Sequence, residues 1–465
     1  MNRLSDVTVN SAAPAAVRPA YDRASVRPGV VHLGPGAFHR AHQAYYFDEL
    51  LAADPRWGIT EIALKSTSVK DAIGPQDGLY TLVQLGEETR YRIIGVIKGL
   101  LTASQEPQAV LERLADPETK LITLTITEKG YCLGPNGGLD LDNADVKQDL
   151  KGEGFPVSAI GWLVAGLKTR HDAGDRPPVI LSCDNLASNG HRLKRAVLDF
   201  ARASDAGLAD WIEAQTRFPC SMVDSITPAT DDALRARVSD AIGLEDAWPI
   251  QREIFTQWVV EDILGDDGPD LASVGVTLSK DVEAFEAAKL RLLNGPHSTL
   301  AYMGSLKGHE TVADAMKDAD LAGFVETLML QDIAPTVPPT PGLDTTTYSQ
   351  AILDRFRNPA IRHLLSQIAW DGSMKLPYRL LGTVRDALAA GRTVERLAMP
   401  IGAWMRFIEG AKAAGRTLTD PLADKLFEAA GDVDRFLAIE AVFGSDLPKN
   451  DAFVSAVKSA YAKLG

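Results

Sequence analysis

The stretch Lys289-Leu-Arg-Leu-Leu-Asn294-Gly-Pro-His297-Ser-Thr-Leu-Ala-Tyr302 holds the residue types needed to interconvert an alcohol and a ketone without metal. A secondary alcohol that gives up a hydride must also lose its hydroxyl proton, and its oxygen gains negative charge on the way. A lysine can take that proton if burial lowers its pKa from about 10.4 toward neutrality. An asparagine amide and a histidine N–H can hold the developing alkoxide. In a helix running to Asn294, Glu286 precedes Lys289 by one turn, and Lys289 and Asn294 can converge on one cleft. Taken alone, the pattern also fits a solvated lysine on a helix, the commoner situation.

Gly34-Pro35-Gly36-Ala37-Phe38-His39-Arg40 follows the apolar run VVHLG and opens a helix expected to run through RAHQAYYFDELLA. The first glycine permits a tight turn, and the second lets backbone approach a pyrophosphate that the helix N-terminus stabilises. Gly34, Gly36, Phe38 and Arg40 are therefore the cofactor-side candidates. His39 stands where the fingerprint has its third glycine, so the match is partial and simple turn chemistry stays open. The acid expected about twenty residues on, to hold the adenosine ribose, is missing. Glu61 falls inside the next strand, and Lys65-Ser66-Thr67-Ser68-Val69-Lys70 follows it. Those hydroxyls and lysines tolerate a 2′-phosphate, so NAD is expected and NADP is not excluded. A solvated turn explains Lys65 and Lys70 equally well.

The three cysteines, Cys132, Cys183 and Cys220, are far apart and form no CxxC pair, and the eight histidines show no ligand spacing. The cysteines read as buried fillers and His39 and His42 as packing. No metal is expected.

With 465 residues, 45% hydrophobic and 24% charged, the chain is globular and too long for one core. A net charge of −14 argues against a nucleic-acid or anionic-membrane surface, although a few local cations can still hold an anionic substrate. No long apolar segment or leader is visible, which points to a cytoplasmic protein. Short apolar runs (VVHLG, ITEIAL, YRIIGVI, LITLTIT, PPVILSC) alternate with helical patterns up to about residue 280. This is the signature of a doubly wound parallel sheet. After Asp281 helical periodicity dominates, through FEAAKLRLL, YSQAILDRF, IRHLLSQIAW, YRLLGTVRDALAAG and AFVSAVKSAYAKL. The expected architecture is an α/β Rossmann-like NAD(P)-binding domain over 1–280, then a mainly α-helical substrate domain over 281–465. The active site is expected in the cleft between them.

GPGAFHRAHQAYYFDELL, LTITEKGYC, SCDN with Asn189-Gly190, and KLRLLNGPHSTLAY together resemble the polyol-specific long-chain dehydrogenases, the mannitol dehydrogenase family. The resemblance runs from about Val30 to near the C-terminus. It implies zinc-independent chemistry with Lys289 as general acid–base, Asn185 and Asn294 as donors to the substrate oxygen, and His297 placing the substrate. Glu286 resembles the family's proton-relay carboxylate, with Glu128 near its exit. Asp224 in VDSITP matches a substrate-side acid, although Ser225 stands where the family usually has arginine.

The stretch Gln367 to Arg379 (QIAWDGSMKLPYR) is similar to the ketouronate-reducing branch, fructuronate to D-mannonate. Lys375 and Arg379 there suit a distal carboxylate. A mannitol 2-dehydrogenase (fructose/mannitol) or another polyol dehydrogenase is the alternative. A catalytically inactive NAD-binding regulator is a third reading. The partner is a small sugar acid or polyol, with no nucleic acid or membrane implied and the oligomeric state open.

Overall fold

The computed structural model describes the whole chain, residues 1–465. It divides into two compact units, Met1–Val282 and Glu283–Gly465.

The first unit is built on five strands, β1 (Val30–Leu33), β2 (Ile59–Ala63), β3 (Ile97–Thr102), β4 (Leu121–Leu124) and β5 (Val179–Ser182). Their order is β3-β2-β1-β4-β5, and every neighbouring pair is parallel. β1, β4 and β5 are buried at every position, which is why they read as mainly apolar runs without alternation, each with one polar residue (His32, Thr123 and Ser182). Alternate residues feed two separate cores. Val30, Ile59, Leu121 and Val179 pack into one, and Val31, Ile62, Ile122 and Ile180 into the other. Strand order reverses beside β1, so the loop after β1 sits at the switch point where such sheets bind nucleotides.

Two smaller mixed sheets were not foreseen. Ala16–Val17, Arg90–Ile94, Tyr80–Leu85 and Ile250–Glu253 form one, in that order, and Thr277–Ser279, Gln257–Glu261 and Ser221–Asp224 form the other. The run YRIIGVI is accordingly not one strand. Its first part belongs to the four-stranded sheet and β3 begins only at Ile97. The break falls at Gly95, whose carbonyl accepts from Arg23 Nε at 2.8 Å. A side chain at 95 would place its Cβ 2.9 Å from Arg23 Cδ.

The second unit contains no strand. Its longest helix, Glu395–Ala413, packs against Asp451–Lys463 and Gly295–Leu306. Three π-helical turns interrupt its α-helices, at Lys289–Asn294, Leu328–Ile333 and Pro377–Leu381. The segment IRHLLSQIAW is helical only over Leu365–Ile368. Upstream, the His363 carbonyl accepts from Val312 N, and Leu364 bridges to Thr311, so that backbone is committed elsewhere. No helix is long and apolar enough to cross a membrane.

Candidate active site

In the first unit the turn after β1 is held from beneath. Gly34 has φ +92°, and a Cβ there would lie 2.2 Å from Thr125 O. Only glycine fits such a position without strain. The Gly34 carbonyl accepts from Gly36 N at 2.7 Å and Thr125 Oγ1 at 2.8 Å, with His32 Nε2 at 3.1 Å. A carbonyl can only accept, which assigns the His32 proton to Nε2 and leaves Nδ1 to accept from Thr123 Oγ1 at 2.8 Å.

The His39 ring lies flat on that of His32, centroids 3.3 Å apart, with its Nε2 3.4 Å from Glu61 Oε1. All three side chains are fully buried. Burial holds both imidazoles below their ordinary range, His39 at about 3, and raises Glu61 to about 7. His39 and Glu61 are thus a packed core pair, and Glu61 is no ribose ligand.

Gly36 is exposed, and a Cβ on it would meet nothing nearer than 3.9 Å. The helix Ala37–Ala41 starts there, and the first amides of any helix lack an internal acceptor. This open, glycine-lined backbone fits a pyrophosphate. The helix expected to continue from Arg40 instead begins at Ala37 and breaks at His42, resuming at Gln43–Leu50. Phe38 is half-buried and stacks on His42 at 5.0 Å.

Arg40, expected on the cofactor side, points into the core instead. It is 1% exposed, with its guanidinium 4.8 Å from the Trp248 ring and 5.6 Å from that of Tyr80. The short helix turns it away from the loop that precedes it, and it serves packing. Lys65 pairs with Asp145 at 3.6 Å and Lys70 with Glu106, so both cations after β2 already face carboxylates.

Asn185 is exposed on the turn after β5. Two residues that sequence reasoning gave no role hold that turn. Asp184 accepts from Ile126 N and Thr127 N, both at 2.9 Å, and from Tyr131 Oη at 2.7 Å. The buried Asn189 amide donates to the carbonyls of Ser182, Asp184 and Ser221 and accepts from Ser221 N. The SCDN and Asn189-Gly190 pattern was the available signal. Asp224 ends its strand opposite Gln257, only 4% exposed. Ser225 donates to Phe255 O at 3.1 Å.

The second unit gathers the acid–base candidates on one interrupted helix. Glu286 lies in the last turn of the α-helix Val282–Ala288. Lys289 begins the π-turn and Asn294 ends it. All three are half-buried. His297 follows in the helix Gly295–Leu306, 7% exposed, its ring 4.5 Å from Phe356 and 5.0 Å from His363. Burial, then His363, Arg355 and Arg379, push its pKa well below the usual range, so it is neutral.

The π-turn carrying Arg379 presses on the start of the same helix. A Cβ at Gly295 would lie 2.9 Å from Arg379 O, so glycine permits the approach. Arg379 is largely buried and donates to Ser298 Oγ at 3.2 Å. It has no acidic partner. Lys375, half-buried, donates to Ile368 O at 3.3 Å, and burial followed by Arg379 lowers its pKa.

Cys183 and Cys220 are buried and Cys132 is partly so. One grouping of metal-type ligands does occur, which sequence spacing did not show. His191, Cys220 and Glu261 bring ligand atoms within 4.8 Å of one another. It includes none of the acid–base candidates. Turnover is therefore expected to survive EDTA treatment and exhaustive removal of divalent metal. Loss of turnover that zinc restores would refute an acid–base lysine mechanism.

Two family models cover nearly the whole chain, the mannitol dehydrogenase Rossmann domain over 28–272 and the mannitol dehydrogenase C-terminal domain over 281–465. D-mannonate oxidoreductase of Escherichia coli K12 is 40% identical, over 98% of this chain and 97% of its own length. The structure of Pseudomonas fluorescens mannitol 2-dehydrogenase in ternary complex with NAD and D-mannitol is 38% identical. It matches with a TM-score of 0.81 over 99% of this chain and 96% of that one. Substrate-free D-sorbitol dehydrogenase matches at a TM-score of 0.93 with 32% identity, over the full length of both chains. With this fold, this glycine turn and the Lys289–Asn294–His297 helix in both sequence and structure, the chain belongs to the mannitol dehydrogenase family of oxidoreductases.

Proposed function

We propose that this protein reduces a ketouronate, fructuronate to D-mannonate, with NADH and without metal. The observation that carries the substrate class is Arg379. A largely buried guanidinium with no carboxylate partner is costly unless a ligand supplies the anion. The likeness to a D-mannonate oxidoreductase supports the same reading. So does the presence of NAD in the mannitol 2-dehydrogenase complex. Lys65 and Lys70, the cations suited to a 2′-phosphate, already have acidic partners, which favours NAD over NADP.

In this reading Gly34, Gly36 and Phe38 hold the dinucleotide, which supplies the hydride to the ketone carbon. Lys289 gives its proton to the carbonyl oxygen as that oxygen becomes an alkoxide. Asn294 and Asn185 donate hydrogen bonds to the same oxygen, stabilising charge that develops only in the transition state. His297, neutral and packed against Phe356, orients the adjacent hydroxyl. Glu286, one turn before Lys289, returns a proton to it from solvent, and Asp224 binds substrate hydroxyls. Arg379 and Lys375 take the distal carboxylate.

The test is kcat/KM for fructuronate and for fructose with saturating NADH. Fructuronate is expected to be favoured at least tenfold, roughly the worth of one charge-assisted hydrogen bond. Equal efficiencies, or a fructose preference, would assign the enzyme to mannitol and fructose instead.

A further inference from the structure

His363 belongs to none of the roles assigned so far, yet it stands among them. Its ring meets His297 edge to face, 5.0 Å between centroids at 80°. His363 Nδ1 and His297 Nε2 are both buried with no hydrogen-bond partner. A buried imidazole nitrogen left unpaired costs free energy, so two of them side by side call for a ligand with polar atoms.

The charged groups that act on His363 are both cationic. Arg355 reaches it from the helix Thr345–Arg357, and Arg379 from the π-turn Pro377–Leu381. His297 faces it from the helix Gly295–Leu306. The segment packed on its backbone, residues 310–314, carries two carboxylates that already have partners, Glu310 with Arg362 at 2.5 Å and Asp314 with Thr311 Oγ1 at 2.7 Å. Two unpaired imidazole nitrogens beside a guanidinium without an acidic partner, that of Arg379, make a receptor for an anion.

We infer that His363 and Arg379 together form the subsite for the substrate's distal carboxylate, and that His363 takes up a proton from solvent when that carboxylate binds. This rests on the ketouronate reading above. With the subsite empty, burial and then Arg379 and Arg355 hold the His363 pKa below its ordinary value, so the ring is neutral at pH 7. A bound carboxylate offsets the arginines and raises it. The sign follows. The extra affinity is fully present below the empty-site pKa and is lost as pH rises through the pKa of the occupied site. Fructuronate stays ionised over this range, so the titrating group belongs to the protein. The structure thus makes His363 a specificity-determining residue whose contribution depends on pH.

The readout is the ratio of kcat/KM for fructuronate to that for fructose, from about pH 5 to about pH 8. Both ketones need the same proton from Lys289, so its titration cancels in the ratio. In wild type the ratio is expected to fall by roughly tenfold across this range, the equivalent of one unit of pKa shift. In His363→Asn, which keeps a hydrogen-bonding side chain that cannot titrate, the ratio is expected to be flat. His363→Gln serves as the second variant, and thermal melting confirms that each is folded. A flat ratio in wild type, or an undiminished fall in a folded variant, overturns the inference while leaving the ketouronate reading intact. No fructuronate preference at any pH would overturn that reading, and this inference with it.

Discussion

Lys289→Ala is expected to lower kcat by roughly a hundredfold or more while NADH affinity changes little. General acid–base catalysis contributes about 10²–10⁴ in rate, and no other amine lies on the helix that carries Asn294 and His297. The side chain is half-buried at the first position of a π-turn, a setting in which its charged form loses part of its hydration. NADH affinity is expected to persist because the glycine turn proposed to hold it belongs to the first unit. Fluorescence titration with NADH and steady-state kinetics separate the two effects. Lys289→Arg sharpens the test. It keeps the positive charge but cannot release a proton near neutral pH, so it should be almost as slow as alanine. An active arginine variant would mean that charge alone is needed. Near-normal kcat in Lys289→Ala would move the base to Glu286.

Arg379→Ala is expected to reduce kcat/KM for fructuronate by roughly tenfold to a hundredfold and to leave fructose within about threefold. A charge-assisted hydrogen bond is worth about 1.5–3 kcal/mol, which sets that range. The two ketones share their reacting end, so their difference isolates the far carboxylate. Arg379→Lys should recover only part of the loss, because an ammonium cannot offer the planar two-point contact of a guanidinium. On the proposed reading Lys375 shares the anion, which limits the fall expected in the alanine variant. Equal losses on both ketones would show that Arg379 supports the helix start at Gly295, where its backbone packs, and not the carboxylate.

Much of the fold was legible because the central strands are buried on both faces. VVHL, LITL and VILS are mainly apolar without alternation, and their bounds in the structure lie within a few residues of those read from sequence. YRIIGVI failed for the converse reason. The apolar run over 93–97 crosses the break without interruption, and only the distant Arg23, lodged at Gly95, marks where the chain leaves one sheet for another. The smaller sheets join segments far apart, such as Tyr80–Leu85 with Ile250–Glu253, and local periodicity carries no trace of such pairing.

The site was legible as residue types and hidden as geometry. Lys289, Asn294 and His297 do share one helical stretch. The orientation of Arg40 could not be read, because a five-residue helix decides whether it faces the loop or Trp248. His39 departs from the glycine fingerprint, and only its stack on His32 shows what the departure accomplishes. Nothing in Ile361–Leu364 distinguishes it from helix until its backbone is seen paired with Thr311 and Val312.

The π-turns have a consequence for anyone who shortens or idealises this protein. Each contains one residue more than a regular helical turn requires. Deleting a single residue between Leu290 and Leu293 would let that segment relax into continuous α-helix with better-aligned hydrogen bonds. It would also rotate everything downstream by about 100°, the angular step of one residue. Asn294 and His297 would then leave the side of the helix on which Lys289 stands. The helix that follows is buried on nearly all sides and packs on Glu395–Ala413, so such a deletant gains local regularity at the expense of core packing as well as its chemistry.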